Sequence, residues 1–267
     1  MNKFLGLPEI ASAHGAALDQ VNSLVHWLML VLFVVWGAFF VYLLFRFRQG
    51  RNPKANYQGT KSKMSTYGEI GVAVVEAILL IGFSIPLYSE RVADLPAEED
   101  ATVVRVVGEQ FAWNLHYPGP DGVFGSTSVD LVDSASNPLG LDRDDPAAKD
   151  DVTTVNQLYL PVDKPVLIYL SSKDVIHSFF LPEMRVKQDA VPGLRFPVWF
   201  KPTVTTAEMR AKKGKDDFNY EIACAQLCGN GHARMRGFYT ILPQEEYDAW
   251  MAEKQSELGE EGDDFWG

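Results

Sequence analysis

Cysteine is nearly absent: the 267-residue chain has two, Cys224 and Cys228, and they sit four residues apart. One thiol pair does not decide the redox compartment. Histidine is also scarce, with only His14, His26, His116, His177 and His232. No Cys-x-x-Cys-His run occurs, which excludes a c-type haem attached to this chain. There is no glycine-rich phosphate loop and no internal repeat. Basic residues are outnumbered, 24 Lys and Arg against 35 Asp and Glu. The net charge of −11 argues against a nucleic-acid partner.

Charge is missing altogether from Gln20 to Phe45, where only His26 could titrate. Such a run is long enough to cross a hydrocarbon core of about 30 Å as a helix. A second run, Ile70 to Ser89, carries one charge-capable group, Glu76. Lipid offers no partners to backbone amides, so both runs must be helical if they span. Pro86 near the outer end of the second can kink or close it. The intervening stretch 46–63 has six basic residues and no acidic one. The positive-inside rule makes that loop cytoplasmic and puts both termini outside. The expected layout is an outer lead-in over 1–19, spans over 20–45 and 66–90, and a basic cytoplasmic loop over 46–65. The lead-in lacks a continuous apolar signal-peptide core and is read as retained. Glu69, at the inner entrance of the second span, reads on its own as an interfacial first-turn glutamate favoured by the helix dipole.

After residue 90 the period changes. "TVVRVVGEQFAWNLHYPG" alternates β-branched and aromatic residues before a Pro-Gly turn. Further strand-like runs follow at "NQLYLPVDKPVLIYLSS", "VIHSFFLPEM", "GLRFPVWFKPTV", "FNYEIACAQLC" and "GFYTILP". Short strands at this spacing predict an all-β sandwich or barrel over 91–243. Residues 118–151, rich in Gly, Pro, Ser and Asp, are expected to be a long surface insertion. Residues 244–267, with an excess of carboxylates, are expected to be a solvated acidic helix and tail.

The cysteines belong to "CAQLCGNGHARM", residues 224–235, with spacing C-x3-C-x3-H-x2-M. A disulfide would not need the histidine and methionine, and structural zinc has little use for a thioether. Thiolate, imidazole and a weak axial methionine together are the copper electron-transfer set. Two thiolates can bridge two copper ions, which then need a second imidazole. His177 is the favoured candidate for it. On residue chemistry alone, disulfide, zinc and copper all stay open.

"CAQLCGNGHARM" and "SSKDVIHSFFLPEMRVKQDAVPG" closely resemble the copper-ligand segments of cytochrome c oxidase subunit II, as does the hairpin-plus-β-domain layout, over roughly residues 20–250. The resemblance implies an N-terminal two-helix transmembrane hairpin and an extracytoplasmic cupredoxin-like Greek-key sandwich in a bacterial inner membrane. It further implies a dinuclear copper centre, CuA, bridged by Cys224 and Cys228. His177 and His232 would be terminal ligands, with Met235 and the Gln226 carbonyl axial. The implied role is electron entry from cytochrome c to haem in subunit I, where O2 is reduced to water and protons are pumped. Subunit III and the lipid bilayer are further implied partners. Glu69 aligns with a carboxylate at the entrance of a proton-uptake path.

Three positions depart from the family pattern. Gln226 replaces a Glu that helps bind magnesium at the subunit I boundary, and a neutral amide is a weaker ligand for a hard cation. Phe111 stands where an electron-entry Trp is usual, with Trp113 retained. Asp174 remains from the acidic donor-docking surface, but Lys173 takes an often acidic position. The last two changes favour a membrane-tethered or complex-bound cytochrome as donor. The alternative readings are the CuA subunit of a nitric oxide reductase, or a copper-binding or assembly module without a catalytic partner.

Overall fold

A computed structural model describes residues 4–54, 57–59 and 62–263. The chain divides into two compact units near Glu90, and the short stretch Pro8–Ala16 belongs with the second.

The first unit holds helices α1 (Gly15–Arg46) and α2 (Met64–Leu79). A π-helical turn (Leu80–Ser84) and α3 (Ile85–Ala93) continue α2 without a break. Both continuous helices, of 32 and 30 residues, are long and apolar enough to cross a membrane. The π turn ends immediately before Ile85 and Pro86, where a regular helix would lose one hydrogen bond to the missing proline N–H. Ser84 Oγ donates to the Leu79 carbonyl at 3.2 Å within the widened turn. Glu69 lies exposed on α2 and accepts a 2.8 Å hydrogen bond from Ser65 Oγ, one helical turn earlier.

The second unit is a sandwich of two five-stranded sheets. Its strands are β1 (Thr102–Glu109), β2 (Ala112–Tyr117), β3 (Val152–Val155), β4 (Gln157–Pro161), β5 (Val166–Ser172), β6 (His177–Leu181), β7 (Val186–Ala190), β8 (Phe196–Phe200), β9 (Tyr220–Cys224) and β10 (Arg236–Leu242). One sheet runs β3-β2-β1-β5-β8 and the other β4-β10-β9-β6-β7. The β1–β5 and β10–β4 pairs are parallel, and the rest are antiparallel. Period-2 patterning positions the core: β1 alternates buried and half-buried residues along its whole length. Trp113, Leu115, Phe179, Tyr220 and Tyr239 fill the interior. Tyr220 and Tyr239 stack across β9 and β10 with centroids 4.8 Å apart.

Two helices complete this unit. The sequence pattern above leaves out α4 (Thr206–Lys213), although its start carries a readable signal. Thr205 and Glu208 form a reciprocal capping box, and Gly214 ends the helix in the left-handed conformation. The acidic α5 (Gln244–Asp263) is more than a solvated tail. Its first turns bury Tyr247 and Trp250, and Trp250 stacks on Tyr159 of β4 at 4.4 Å.

Segment 118–151 is anchored as well as exposed. Asp151 is buried, pairs with buried His116 of β2 at 2.5 Å, and accepts the Gly125 amide at 2.8 Å. Residues near the N-terminus are held too. The Ala11 amide donates to the Glu183 carbonyl at 2.9 Å, and Ser12 Oγ to that of Met184 at 2.7 Å.

Candidate metal centre

β9 and β6 are neighbours in one sheet, with Phe179 opposite Cys224. That register brings the start of β6, His177, beside the end of β9, Cys224. The chain then leaves β9 through a loop and a single 3-10 turn (His232–Arg234) before entering β10. The loop must therefore fold back over the strand ends, which gathers Cys228, His232 and Met235 against Cys224.

The resulting geometry is paired. The two thiol sulfurs lie 3.8 Å apart and both cysteines are free. His177 Nδ1 is 3.9 Å from Cys224 Sγ, and His232 Nδ1 is 3.6 Å from Cys228 Sγ. Met235 Sδ is 3.6 Å from Cys228 Sγ, and the Gln226 carbonyl oxygen 3.1 Å from Cys224 Sγ. Each sulfur thus has one imidazole and one weaker donor of its own. Donor atoms of His177, Cys224 and Cys228 all lie within 4.8 Å of one another. Soft sulfur with imidazole suits copper, and carboxylate is absent from residues 224–235. The residues present therefore fit copper. Burial first, and the Cys224 thiol second, push the Cys228 thiol up to about 11. Metal loading there would release protons.

A second ring of contacts fixes these donors, and spacing alone does not show it. Asp174 Oδ1 lies 2.9 Å from His177 Nε2, which leaves Nδ1 facing the sulfurs. Asp174 Oδ2 accepts the Gln110 backbone amide at 2.7 Å. Burial works to raise the Asp174 carboxyl, but hydrogen bonds from His177, Val175 and Gln110 outweigh it and hold the pKa below the usual value. The Gln110 side chain donates to the Cys228 carbonyl at 2.6 Å. The β1–β2 turn, through Gln110, and the β5–β6 connection, through Asp174, therefore brace the two halves of the centre together.

Phe111 lies directly on the loop. A Cβ added at Gly231 would come within 2.4 Å of the Phe111 ring, so only glycine leaves room for it there. Phe111 keeps 38% of its surface exposed, whereas Trp113 is fully buried. The Trp113 ring packs edge-on to His177, centroids 6.0 Å apart, and to Phe179 at 5.3 Å. Lys173 is engaged by Glu109 at 2.5 Å. Glu69 lies on α2, in the other unit.

A family profile described as "Cytochrome C oxidase subunit II, periplasmic domain" matches residues 102–239. The alternative cytochrome c oxidase subunit 2 of Bradyrhizobium diazoefficiens is 33% identical over 247 residues, covering 92% of this chain and 83% of that protein. The chain belongs to the cytochrome c oxidase subunit II family. The subunit 2 of Cereibacter sphaeroides is 29% identical over 256 residues, covering 87% of this chain and 77% of that protein. Among solved structures, the periplasmic domain of subunit II of cytochrome oxidase from Bradyrhizobium japonicum is similar at 25% identity and a TM-score of 0.42. It covers 62% of this chain and 99% of that one. Subunit II is part of a haem–copper oxidoreductase complex, with subunit I as its partner, and the two-sheet sandwich carries the residues that match its family profile.

Proposed function

We propose that this subunit is the electron-entry point of its oxidase, through a dinuclear copper centre held by His177, Cys224, Cys228, His232, Met235 and the Gln226 carbonyl. The observation that carries this is the pairing: two adjacent sulfurs, each with its own imidazole and its own weak donor. Bound there, a copper pair would supply a one-electron carrier with its charge shared over two metals and two thiolates. The protein's part is to hold the donors still. Asp174 fixes the His177 ring, Gln110 ties the cysteine loop to the β1–β2 turn, and Trp113 closes the inner side.

The donor is a cytochrome c that docks over the partly exposed face of Phe111, and haem in subunit I is the acceptor. Exposed Leu227, Val175 and Ile176 lie on the loops of the centre, and Glu109 neutralises Lys173. That surface favours an apolar contact with a tethered or complex-bound cytochrome over a strongly acidic patch for a diffusing one. The further reading is of a bacterial inner-membrane subunit with the loop over 46–65 cytoplasmic and the β unit outside. Glu69 then stands at a proton entrance, and subunit III is a further neighbour. Gln226 has an exposed neutral side chain and no carboxylate within 224–235, so no magnesium ligand is assigned there.

Copper titration of the full chain in detergent tests the ligand roles. Gln226→Glu should leave copper affinity and the shared-electron spectrum unchanged, because only its carbonyl is used. Asp174→Ala should weaken copper retention by about 10–100-fold, the usual effect of losing a carboxylate behind a ligand histidine. Asp174→Asn, which keeps an acceptor for His177 Nε2, should restore most of it. Spectral loss in Gln226→Glu, or full retention in Asp174→Ala, contradicts these roles.

A further inference from the structure

On the outer face of the β3-β2-β1-β5-β8 sheet, segment 118–151 does not lie flat. It leaves a cleft of about 700 Å³ between its Val129, Val132 and Leu139 and the strands beneath. Arg105 of β1, Tyr169 of β5 and Arg195, just before β8, line the sheet side. A cleft of this volume is in the range that holds a small organic molecule.

The two guanidinium groups lack a carboxylate of their own. Among the described residues neither Arg105 nor Arg195 has a hydrogen bond or ion pair, and Arg105 Nε is buried with no partner. The Arg105 guanidinium instead lies over the Phe124 ring, 3.9 Å from its centroid. Burial first, then the Arg195 charge, lowers the Arg105 pKa from its ordinary value, so each cation feels the other. The acidic groups nearby are already engaged. Glu98 accepts from the Tyr169 hydroxyl at 2.5 Å, and Asp151 is paired with His116. Lys173 at the rim is held by Glu109. Two like charges converging on a half-enclosed space, one with an orphaned donor, leave an unmet demand for anionic oxygen. The wall opposite them is aliphatic.

We propose that this cleft binds a small organic anion, with a phosphate-type head between Arg105 and Arg195 and a short apolar body against Val129, Val132 and Leu139. Both a free organophosphate and a phospholipid headgroup carry this chemistry. The inference does not depend on the copper reading, because neither of its two head-group residues is in the metal centre.

The test is calorimetric titration of the full chain in uncharged detergent with phenyl phosphate and with inorganic phosphate. Saturable binding of phenyl phosphate, tighter than that of inorganic phosphate, is expected. Arg105→Gln and Arg195→Gln should each weaken it by about tenfold or more, the scale of one charge-assisted hydrogen bond. Lys173→Gln should change it less than about threefold, because that lysine is already paired. Arg195 is at the exposed mouth, so its variant keeps the test valid if Arg105→Gln fails to fold. Reconstitution into phosphatidylglycerol nanodiscs, against phosphatidylcholine ones, identifies the source. Loss of phenyl phosphate binding in the former assigns a lipid headgroup, and unchanged binding assigns a soluble anion. No saturable binding by wild type, or wild-type affinity in both arginine variants, overturns the proposal.

Discussion

Cys224→Ser is expected to abolish the shared-electron copper signature and to reduce cytochrome c oxidation by the assembled complex to background. The reason is geometric. Cys224 Sγ is the atom shared by three contacts, to Cys228 Sγ, His177 Nδ1 and the Gln226 carbonyl. A hydroxyl there is a hard, weakly acidic donor that cannot bridge copper as a thiolate does. The remaining Cys228, His232 and Met235 still form a one-sulfur set on the other side. The variant is therefore expected to keep one copper with an ordinary single-thiolate spectrum, and electron entry should fail with the fold intact. Unfolding thermograms matching wild type would separate this loss from misfolding. Retention of wild-type turnover by Cys224→Ser would refute the bridging role.

Trp113→Ala should be the most damaging single change to the β unit. Trp113 is fully buried between the sheets and touches both His177 and Phe179. Removing a buried indole costs about 3–5 kcal/mol, a large share of the ~5–15 kcal/mol by which domains are stable. For a domain of this size that corresponds to a fall in Tm of roughly 6–20 °C. The cavity would open directly beside His177, so copper retention should fall together with Tm. Phe111→Ala removes a ring that is partly in solvent and should leave Tm far closer to wild type. A Tm for Trp113→Ala within about 2 °C of wild type would contradict its place in the core.

Much of this layout is visible before any coordinates. The uncharged run from Gln20 to Phe45 shows a long apolar helix because lipid-length stretches without charge are rare in soluble chains. Period-2 alternation from Thr102 to Tyr117 shows β1 and β2, because one face of each is core. Strands without that alternation are harder to see. β7, "VKQDA", carries three polar residues in its middle and is set by pairing with β6. The donors at 224–235 are legible because loop spacing brings them together locally. The bracing by Gln110 is not, because Gln110 reaches the Cys228 carbonyl across 118 residues and Asp174 across 64. Asp174 illustrates the difference. From sequence it reads as a docking-surface acid, whereas its two oxygens hold His177 and the Gln110 amide. The cleft over Arg105 and Arg195 is equally invisible in sequence, since those residues are ninety positions apart, one on β1 and one just before β8.

The most direct test of the dinuclear assignment is copper stoichiometry combined with electron paramagnetic resonance on the full chain, loaded with copper and purified in detergent. Two copper ions per chain are expected, with one unpaired electron shared equally between two nuclei, and with loss of that pattern in Cys224→Ser. One copper per chain with hyperfine structure from a single nucleus, or zinc in its place, would contradict the account.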